Sequence, residues 1–470
     1  MLGNIICLAI AISVFVGLFL LDRKISEKAK KWVMGVSITL VTLIIGMSGF
    51  WWITTIERIP VHDQLKICDA ATGFIRGDYS FLKKEAYCGM CPHQLGLVAL
   101  VEIFFRIVGV NNYFACQIVL VLMAAGSVLL GFLLVRQMSG NMAVAVAYCI
   151  LMLSGIQLVG YTGWIYGDLP GVFCVLLAAV GLLYYSKTGH KRWLAVMIVA
   201  FVLALLVRKH TMITLIALGL VGAIHVLRKK DVKLLVALLL AIISSGLAYS
   251  GIFKMYEMRS GIEHEDGFSN ISYIAMGMQE YMGKNGWYTF YCMNIYAEQG
   301  YDTELSAEVA EAYIDERLQE FKANPAYAWD FYREKVLSQW NAPLFQSLYF
   351  AAMNPDFFVP EEDTLLGKIN IVHFMDIVNV CDRVQFIVYF GMLCYFLFAV
   401  RKDSDIVQHM LAVAIIGGFF FSIIWEAKAR YIFPYYMTMF PLAVIGYCRA
   451  LQYCGGLWNK LKTKGQRAID

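Results

Sequence analysis

Apolar runs of bilayer-crossing length recur along the chain, separated by short basic turns and by two long polar segments. A hydrocarbon core of about 30 Å needs about 20 consecutive apolar residues in a helix. Such runs fall at 4–21, 33–54, 113–135, 142–160, 168–185, 193–207, 211–227, 233–253, 384–400, 406–425 and 431–450. The pattern predicts an all-α polytopic membrane protein of about eleven transmembrane helices, with its termini on opposite sides. The first run is not a standard secretory signal. Met1 to Asn4 carries no cation and no small-residue cleavage site follows. Arg23, Lys24, Lys28, Lys30 and Lys31 follow instead, and cations hold their side in the cytoplasm. The N-terminus is therefore expected outside and the C-terminus in the cytoplasm.

The long polar segments, 55–112 and 254–383, fall on the outer side of this threading. Within the first, 95–110 is apolar but short, and Glu102 and Arg106 lie four apart on one helical face. That pattern predicts a helix lying at the interface rather than a span. Within the second, the spacing predicts a helix near 306–322 with Ala310, Ile314, Leu318 and Phe321 on one face. Another starts at Asn324-Pro325, an N-cap followed by proline in the first turn, with Trp329, Tyr332, Val336 and Trp340 on one face. Trp340 and Phe345 suit a membrane interface. The chain so divides into two N-terminal transmembrane helices (1–54), a first external loop with an interfacial helix (55–112), a central transmembrane module (113–253), an external helical region (254–383), and C-terminal transmembrane helices with a cytoplasmic basic tail (384–470).

Composition agrees with lipid as the solvent. Hydrophobic residues make up 60% and charged residues 16% of the 470 positions, and mean hydropathy is +0.63. Soluble domains carry about 25% charge, so a soluble multidomain protein is excluded. The net charge of +4 gains meaning only when divided by side. Segments 22–32, 136–141, 186–192, 228–233, 401–405 and the tail from Arg449 hold 20 of the 39 Lys/Arg and 6 of the 35 Asp/Glu, a net of +14. The remainder is net −10. Every short basic loop thus falls inside, as the positive-inside rule requires.

Chemistry is then sought on the outer face. Cys88-Gly-Met-Cys91 is a lone C-x-x-C, with Cys68 and Cys292 elsewhere on that side; without a second pair it is weak evidence for zinc, and both a disulfide and free thiols fit. No phosphate-binding loop and no strand–GxGxxG–helix unit occurs, which argues against an ATP-driven pump. No nucleic-acid partner is expected. Three carboxylates stand at separate outer helix ends: Asp63 in Pro60-Val-His-Asp-Gln64, Asp168 in Tyr166-Gly-Asp-Leu-Pro170, and Glu426. Any one alone reads best as a solvated loop acid. Three together, among aromatics and proline-fixed turns, read as a site. Cations join them against the charge rule. Arg208, Lys209 and His210 occupy a short outer turn, and Arg430 stands beside Glu426 and Tyr431. They read either as snorkelling anchors or as a clamp for a lipid phosphate.

In this order and on this side, these residues resemble the GT-C superfamily of polyprenyl-phosphate-sugar glycosyltransferases, in the branch of protein O-mannosyltransferases and aminoarabinose transferases. Asp63 matches that family's acid at the start of the first outer loop. Tyr87 to Gly109, with Pro92-His93-Gln94-Leu95-Gly96, matches its interfacial stretch. Asp168 matches its second outer acid, Arg208 or Lys209 its later cation, and Glu426-Ala-Lys-Ala-Arg430-Tyr431-Ile-Phe-Pro434 its E…RY…P element. One extra span precedes the usual first one, Gln64 stands where many relatives have Glu, and Pro92-His93 stands for Pro-Pro.

The resemblance implies a sugar transferred from a polyprenyl-phosphate donor to a glycan, lipid or protein acceptor at the outer face of the cell membrane. Asp63 would be the general base, with inversion at the sugar. Arg208, Lys209 and Arg430 would bind the donor phosphate, and His93, Gln94, His210, Glu426 and Tyr431 would position donor or acceptor. Asp168 would orient the acceptor or a divalent metal; no metal ligands are assigned, and a divalent metal is the one cofactor left open. The alternative class is a transporter or lipid-linked sugar flippase. Such folds tend to carry internal repeats and midplane charges, and neither is evident here. The threading is testable: single cysteines replacing Lys30 and Lys230, in a background without native cysteines, should resist an impermeant reagent in intact cells, whereas those at Asp63 and Glu316 should label. Labelling at position 230 would overturn it.

Overall fold

A computed structural model describes residues 2–56, 60–263, 266–281, 283–348 and 367–467. The stretch 349–366 of the expected external region lies outside the described residues. Helices occupy all eleven apolar runs. Numbering the main ones in chain order gives α1 (Leu2–Asp22), α2 (Glu27–Ile56), α3 (His62–Arg76), α4 (Leu95–Val108), α5 (Tyr113–Ser139), α6 (Met142–Met152), α7 (Asp168–Thr188), α8 (Arg192–Val207), α9 (Met212–Lys229), α10 (Val232–Ser260), α11 (Asn270–Met276), α12 (Tyr291–Glu298), α13 (Thr303–Ala323), α14 (Pro325–Trp340), α15 (Phe374–Cys394), α16 (Met410–Ile424) and α17 (Phe433–Arg467).

Among the described residues, eight helices are long and apolar enough to cross a membrane, as a multi-pass membrane protein requires. Three of the eleven runs depart from the simple pattern, each for a physical reason. The run 142–160 breaks after α6 and resumes as the short helix Ile156–Tyr161, because Ser154-Gly155 turns the chain. At 1.5 Å per residue α6 rises only about 16 Å. Helix α8, at 16 residues, is also short. Helix α17 is long but carries tyrosines, threonine and an internal Pro441. Every residue from 432 to 448 is buried, so its neighbours are protein rather than lipid. A helix enclosed in this way has no need of uniform apolarity.

The packing order follows from these exposures. Helix α7 packs against α8 and α5, α5 against α2, α8 against α10, α9 against α16, and α15 against α17. Helix α1 buries only Phe15 and lies on the outside of the bundle against α15 and α6. Its leucines and isoleucines stay exposed, which suits a lipid-facing helix. The segment Ser80–Met90 meets Pro92–Val108 at a 100° bend. Helix α4 is held there by a buried charge knot. Glu102 Oε1 accepts from Arg106 Nη2 at 2.7 Å and from Arg259 Nη2 at 2.8 Å, and Oε2 accepts from the Tyr256 hydroxyl at 2.7 Å. Arg259 also donates to the Phe74 carbonyl and to the Tyr79 hydroxyl. One carboxylate thus ties α4 to α3 and α10.

Helices α11 to α14 and a two-residue hairpin, β1 (Glu280–Tyr281) with β2 (Lys284–Asn285), form a layer over the same end of the bundle as α3 and α4. Caps start its helices as expected. Asp302 accepts from the Glu304 and Leu305 amides, and Asn324 accepts from the Tyr327 amide with Pro325 following. The expected faces need correction. On α13, Ala310 and Phe321 are buried but Leu318 is 42% exposed. On α14, Trp329 is 70% exposed, and the buried stripe is Phe331, Lys335 and Gln339 with Trp340. Pattern reading favours large apolar residues; the structure buries polar ones that find partners, Lys335 on the Gly277 carbonyl and Gln339 on the Ser422 carbonyl. Trp340 and Phe345 are likewise interior rather than interfacial. Trp340 Nε1 donates to Ser422 Oγ at 3.0 Å, and Phe345 is fully buried.

The Glu102 knot supplies a stability test. Breaking a buried charge pair costs about 3–5 kcal/mol, but Arg106 and Arg259 reach water, so Glu102→Ala should cost about 2 kcal/mol. Thermal unfolding in detergent should show a clear loss of Tm for Glu102→Ala and none for Glu308→Ala on the exposed face of α13. Equal Tm values would mean that the knot adds nothing.

Candidate functional site

Four chain segments converge where the layer meets the bundle. The first is the start of α3. His62 takes a left-handed φ of +53°, a conformation that costs energy in a residue with a Cβ, and Asp63 follows in the first helical turn. The helix N-terminus favours its carboxylate. Gln64 is buried, and its Oε1 accepts from the Ile165 amide at 2.9 Å, which fixes this turn to the second segment. That segment, 164–168, leads into α7 and places Asp168 at its first residue. The third is the turn after α8, carrying Arg208, Lys209 and His210. Glycine is required where these pack. A Cβ on Gly167 would overlap the Val207 carbonyl, and one on Gly96 would overlap that of Leu206. The fourth is the connection from α16 to α17, carrying Glu426, Lys428, Arg430 and Tyr431.

Charges in this cluster are paired. Arg208 grips Asp168 with both terminal nitrogens, at 2.9 and 3.2 Å, and Trp164 Nε1 donates to the same carboxylate at 3.2 Å. Asp168 is fully buried, so it has no open side for a ligand. Arg430 Nη2 meets Asp63 Oδ2 at 3.1 Å; Arg430 is 6% exposed but Asp63 keeps 38% of its side chain open. Lys428 Nζ lies 2.8 Å from Glu426 Oε1, and the Tyr431 hydroxyl donates to Glu426 Oε2 at 3.2 Å. Two rings join the pairs. The guanidinium carbons of Arg208 and Arg430 lie 5.2 and 5.3 Å from the Tyr166 ring centre and both 5.6 Å from that of Tyr431. Each distance is within cation–π range.

The remaining expected residues fall around this core. Gln94 Nε2 donates to the Tyr166 hydroxyl at 2.7 Å. His210 stacks on Tyr431 with ring centres 5.3 Å apart. Lys209 is exposed. Burial, with the nearby charges of Lys209 and Arg208, pushes His93 down to about 4, so its imidazole is neutral at pH 7. Burial pushes the Asp63 carboxyl up, but Arg430 and then Lys428 outweigh it and hold it below the ordinary carboxylate range. Burial lowers Lys428 while Glu426 raises it further, to about 12. The arrangement is an ionised, solvent-reachable acid set beside Arg430 and Lys428, both held above their ordinary values.

Four contributors were absent from the sequence-derived set: Lys428, Tyr166, Gln64 and Tyr288, whose ring centre lies 4.4 Å from Lys428 Nζ. Lys428 had a readable signal. In extended backbone, alternate residues share a face, and Lys428 has φ −149° and ψ 132° between Glu426 and Arg430. For a divalent metal the donor set is a poor fit: each acid already holds a cation, and among the described residues no three His, Cys, Asp or Glu side chains converge. Cys88 and Cys91 are free thiols.

No protein-family model matches this chain, and no curated protein matches it. Solved structures similar to it include two membrane enzymes. One is an archaeal oligosaccharyltransferase, AglB from Archaeoglobus fulgidus, in complex with an inhibitory peptide and a dolichol-phosphate: TM-score 0.48, 14% identity, 93% of this chain and 52% of that chain covered. The other is ArnT from Cupriavidus metallidurans bound to undecaprenyl phosphate: TM-score 0.37, 13% identity, 90% and 78% covered. The chain spans about half the length of the first.

The Arg430–Asp63 pair is open to direct titration. With Arg430 replaced by Gln, burial still pushes the carboxyl up and only Lys428 and Arg208 oppose it. Infrared titration of the protonated carboxyl stretch, assigned with Asp63→Asn, should show a higher midpoint in Arg430→Gln than in wild type. Coincident midpoints would mean that Arg430 does not hold the charge.

Proposed function

We propose that the chain is an integral membrane glycosyltransferase that moves a sugar from a polyprenyl-phosphate donor to an acceptor hydroxyl at the outer face of the cell membrane. One observation carries the reading: a water-reachable carboxylate, Asp63, is held ionised by Arg430 at the centre of a cation cluster at one end of a membrane bundle. The layer of α11 to α14 would shape the acceptor side.

In the reaction, an acceptor oxygen attacks the anomeric carbon as Asp63 takes its proton. The bond from that carbon to the phosphate oxygen breaks with its electron pair, and polyprenyl phosphate leaves. Direct displacement inverts the sugar. The leaving group is already stable, so the site needs cations at the phosphate oxygens more than a strong acid. Arg430, Lys428 and Lys209 supply them. Arg430 has a double part. At rest it keeps Asp63 ionised; as charge builds on the phosphate it turns toward the leaving group, and Asp63 becomes a better base as the proton arrives. Arg208 is committed to Asp168, so both act chiefly as positioning residues, with Arg208 adding positive potential through the Tyr166 and Tyr431 rings.

Mass spectrometry of lipid-linked sugars and surface glycans in a deletion strain tests the reading. One polyprenyl-phosphate sugar should accumulate while one sugar disappears from surface material. Unchanged pools would remove the proposal. A sugar lost from the outside while its lipid carrier piles up only on the inner leaflet would favour the flippase class instead. In the complemented strain, Asp63→Asn should reduce transfer by about 10²–10⁴-fold with normal membrane insertion. Lys209→Ala should raise the donor KM severalfold with the fold intact, whereas Arg208→Ala should lose the protein itself, because it strands the buried Asp168 charge. Wild-type transfer by Asp63→Asn would leave the mechanism without a base.

A further inference from the structure

One buried cation is unused by this mechanism. Lys335 on α14 is fully buried. Its Nζ donates to the Gly277 carbonyl at 2.5 Å, and its stem fills the space beside Gly286, where a Cβ would lie 2.7 Å from Lys335 Cε. Those two glycines touch the chain segment that enters the site. The Gly286 carbonyl accepts from the Ala427 amide at 2.7 Å, Trp287 bridges to Ala427 in parallel fashion, and a Cβ on Gly277 would meet the Ile424 carbonyl and Trp425 at 2.8 Å. Ala427 lies between Glu426 and Lys428. Lys335 therefore braces, from inside the layer, the segment that carries three of the site's charged groups.

The ionisable groups that neighbouring elements bring toward this region are Glu426 and Lys428 on the connection, Lys284 on β2, Glu280 on β1 and Arg317 on α13, with Tyr332 and Glu334 on α14 itself. Glu426 is the one whose charge acts on the amine. Glu426 thus acts on two cations: Lys428, 2.8 Å from its Oε1 and set over the Tyr288 ring, and the buried Lys335. When Lys335 is charged, Glu426 is balanced by both and Lys428 can turn part of its charge to a phosphate. When Lys335 is neutral, Glu426 holds Lys428 alone.

We propose that Lys335 is a positioning residue that braces the Glu426–Arg430 segment and, by its charge, sets how strongly Lys428 engages a donor phosphate. This rests on reading the cluster as a donor-phosphate site. Burial pulls the Lys335 amine down to about 7, against the opposing charge of Glu426, so its charge changes near neutral pH. The sign follows: affinity for the phosphate is higher below that point and falls above it.

The probe is methyl undecaprenyl phosphate in lipid nanodiscs, a diester whose single charge does not titrate between pH 6 and 8.5. His93, held near 4, is silent in that window. Wild type should bind about fivefold more weakly at pH 8.5 than at pH 6, the low end of typical coupling between sites. Lys335→Arg, charged throughout, should bind tightly and independently of pH; Lys335→Met should bind weakly and independently of pH. Either variant alone decides the matter should the other fail to fold. A pH dependence equal to wild type in the folded variant would overturn the role of Lys335 and leave the donor site standing. No binding by wild type at any pH would overturn the donor site, and this inference with it.

Discussion

Everything at the layered end of the bundle depends on keeping charges paired where water is scarce. Moving a carboxylate or a guanidinium out of water costs several kcal/mol per ion, recovered only when a partner stands in good geometry. Asp168 is wholly buried, and only the two-pronged contact of Arg208 makes its charge tolerable. That contact fixes the start of α7 against the end of α8, and the bare glycines at 96 and 167 permit the approach. Arg430, nearly as buried, requires Asp63 in turn, which fixes the start of α3 against the entry to α17. Two ion pairs and the two tyrosine rings they share set the relative positions of four chain segments.

The two pairs differ in one respect that matters for chemistry. Arg208–Asp168 is dry on both sides. Arg430–Asp63 has a dry cation and a wet acid. Only the second can exchange a proton with an incoming molecule, and only the second leaves a cation that a bound anion can draw away. Lys428 and Lys209 add positive charge near the open edge of Asp63, so this place suits a negatively charged group beside a nucleophile that must lose a proton.

The spans were legible because lipid imposes a length and a composition on them, and among the described residues eight helices satisfy both while α6 and α8 keep only the composition. Helix α17 was legible as a helix although its surroundings are protein, because Leu442 to Ile445 keep an apolar centre. Asp63, Asp168, Arg208, Arg430 and Glu426 were legible as charges placed against the membrane's preference. What escaped was pairing across distance. Nothing local indicates that Arg208 would spend its charge on Asp168, 40 positions away, or Arg430 on Asp63, 367 positions away. The face of α14 was misread for the same reason: Lys335 and Gln339 are buried only because remote carbonyls receive them. Gln64 offers no charge to read in the sequence, yet its amide oxygen joins α3 to the 164–168 turn across 101 positions, a contact that no window along the chain contains.

The most direct measurement is an electron cryomicroscopy structure of the chain in nanodiscs containing undecaprenyl phosphate. The account predicts phosphate density facing the open edge of the Asp63 carboxylate, within charge-assisted hydrogen-bond distance of Arg430 and Lys428, near Lys209, with the Arg208–Asp168 contact undisturbed. Phosphate bound elsewhere on the bundle, with the Arg430–Asp63 pair still closed, would contradict it.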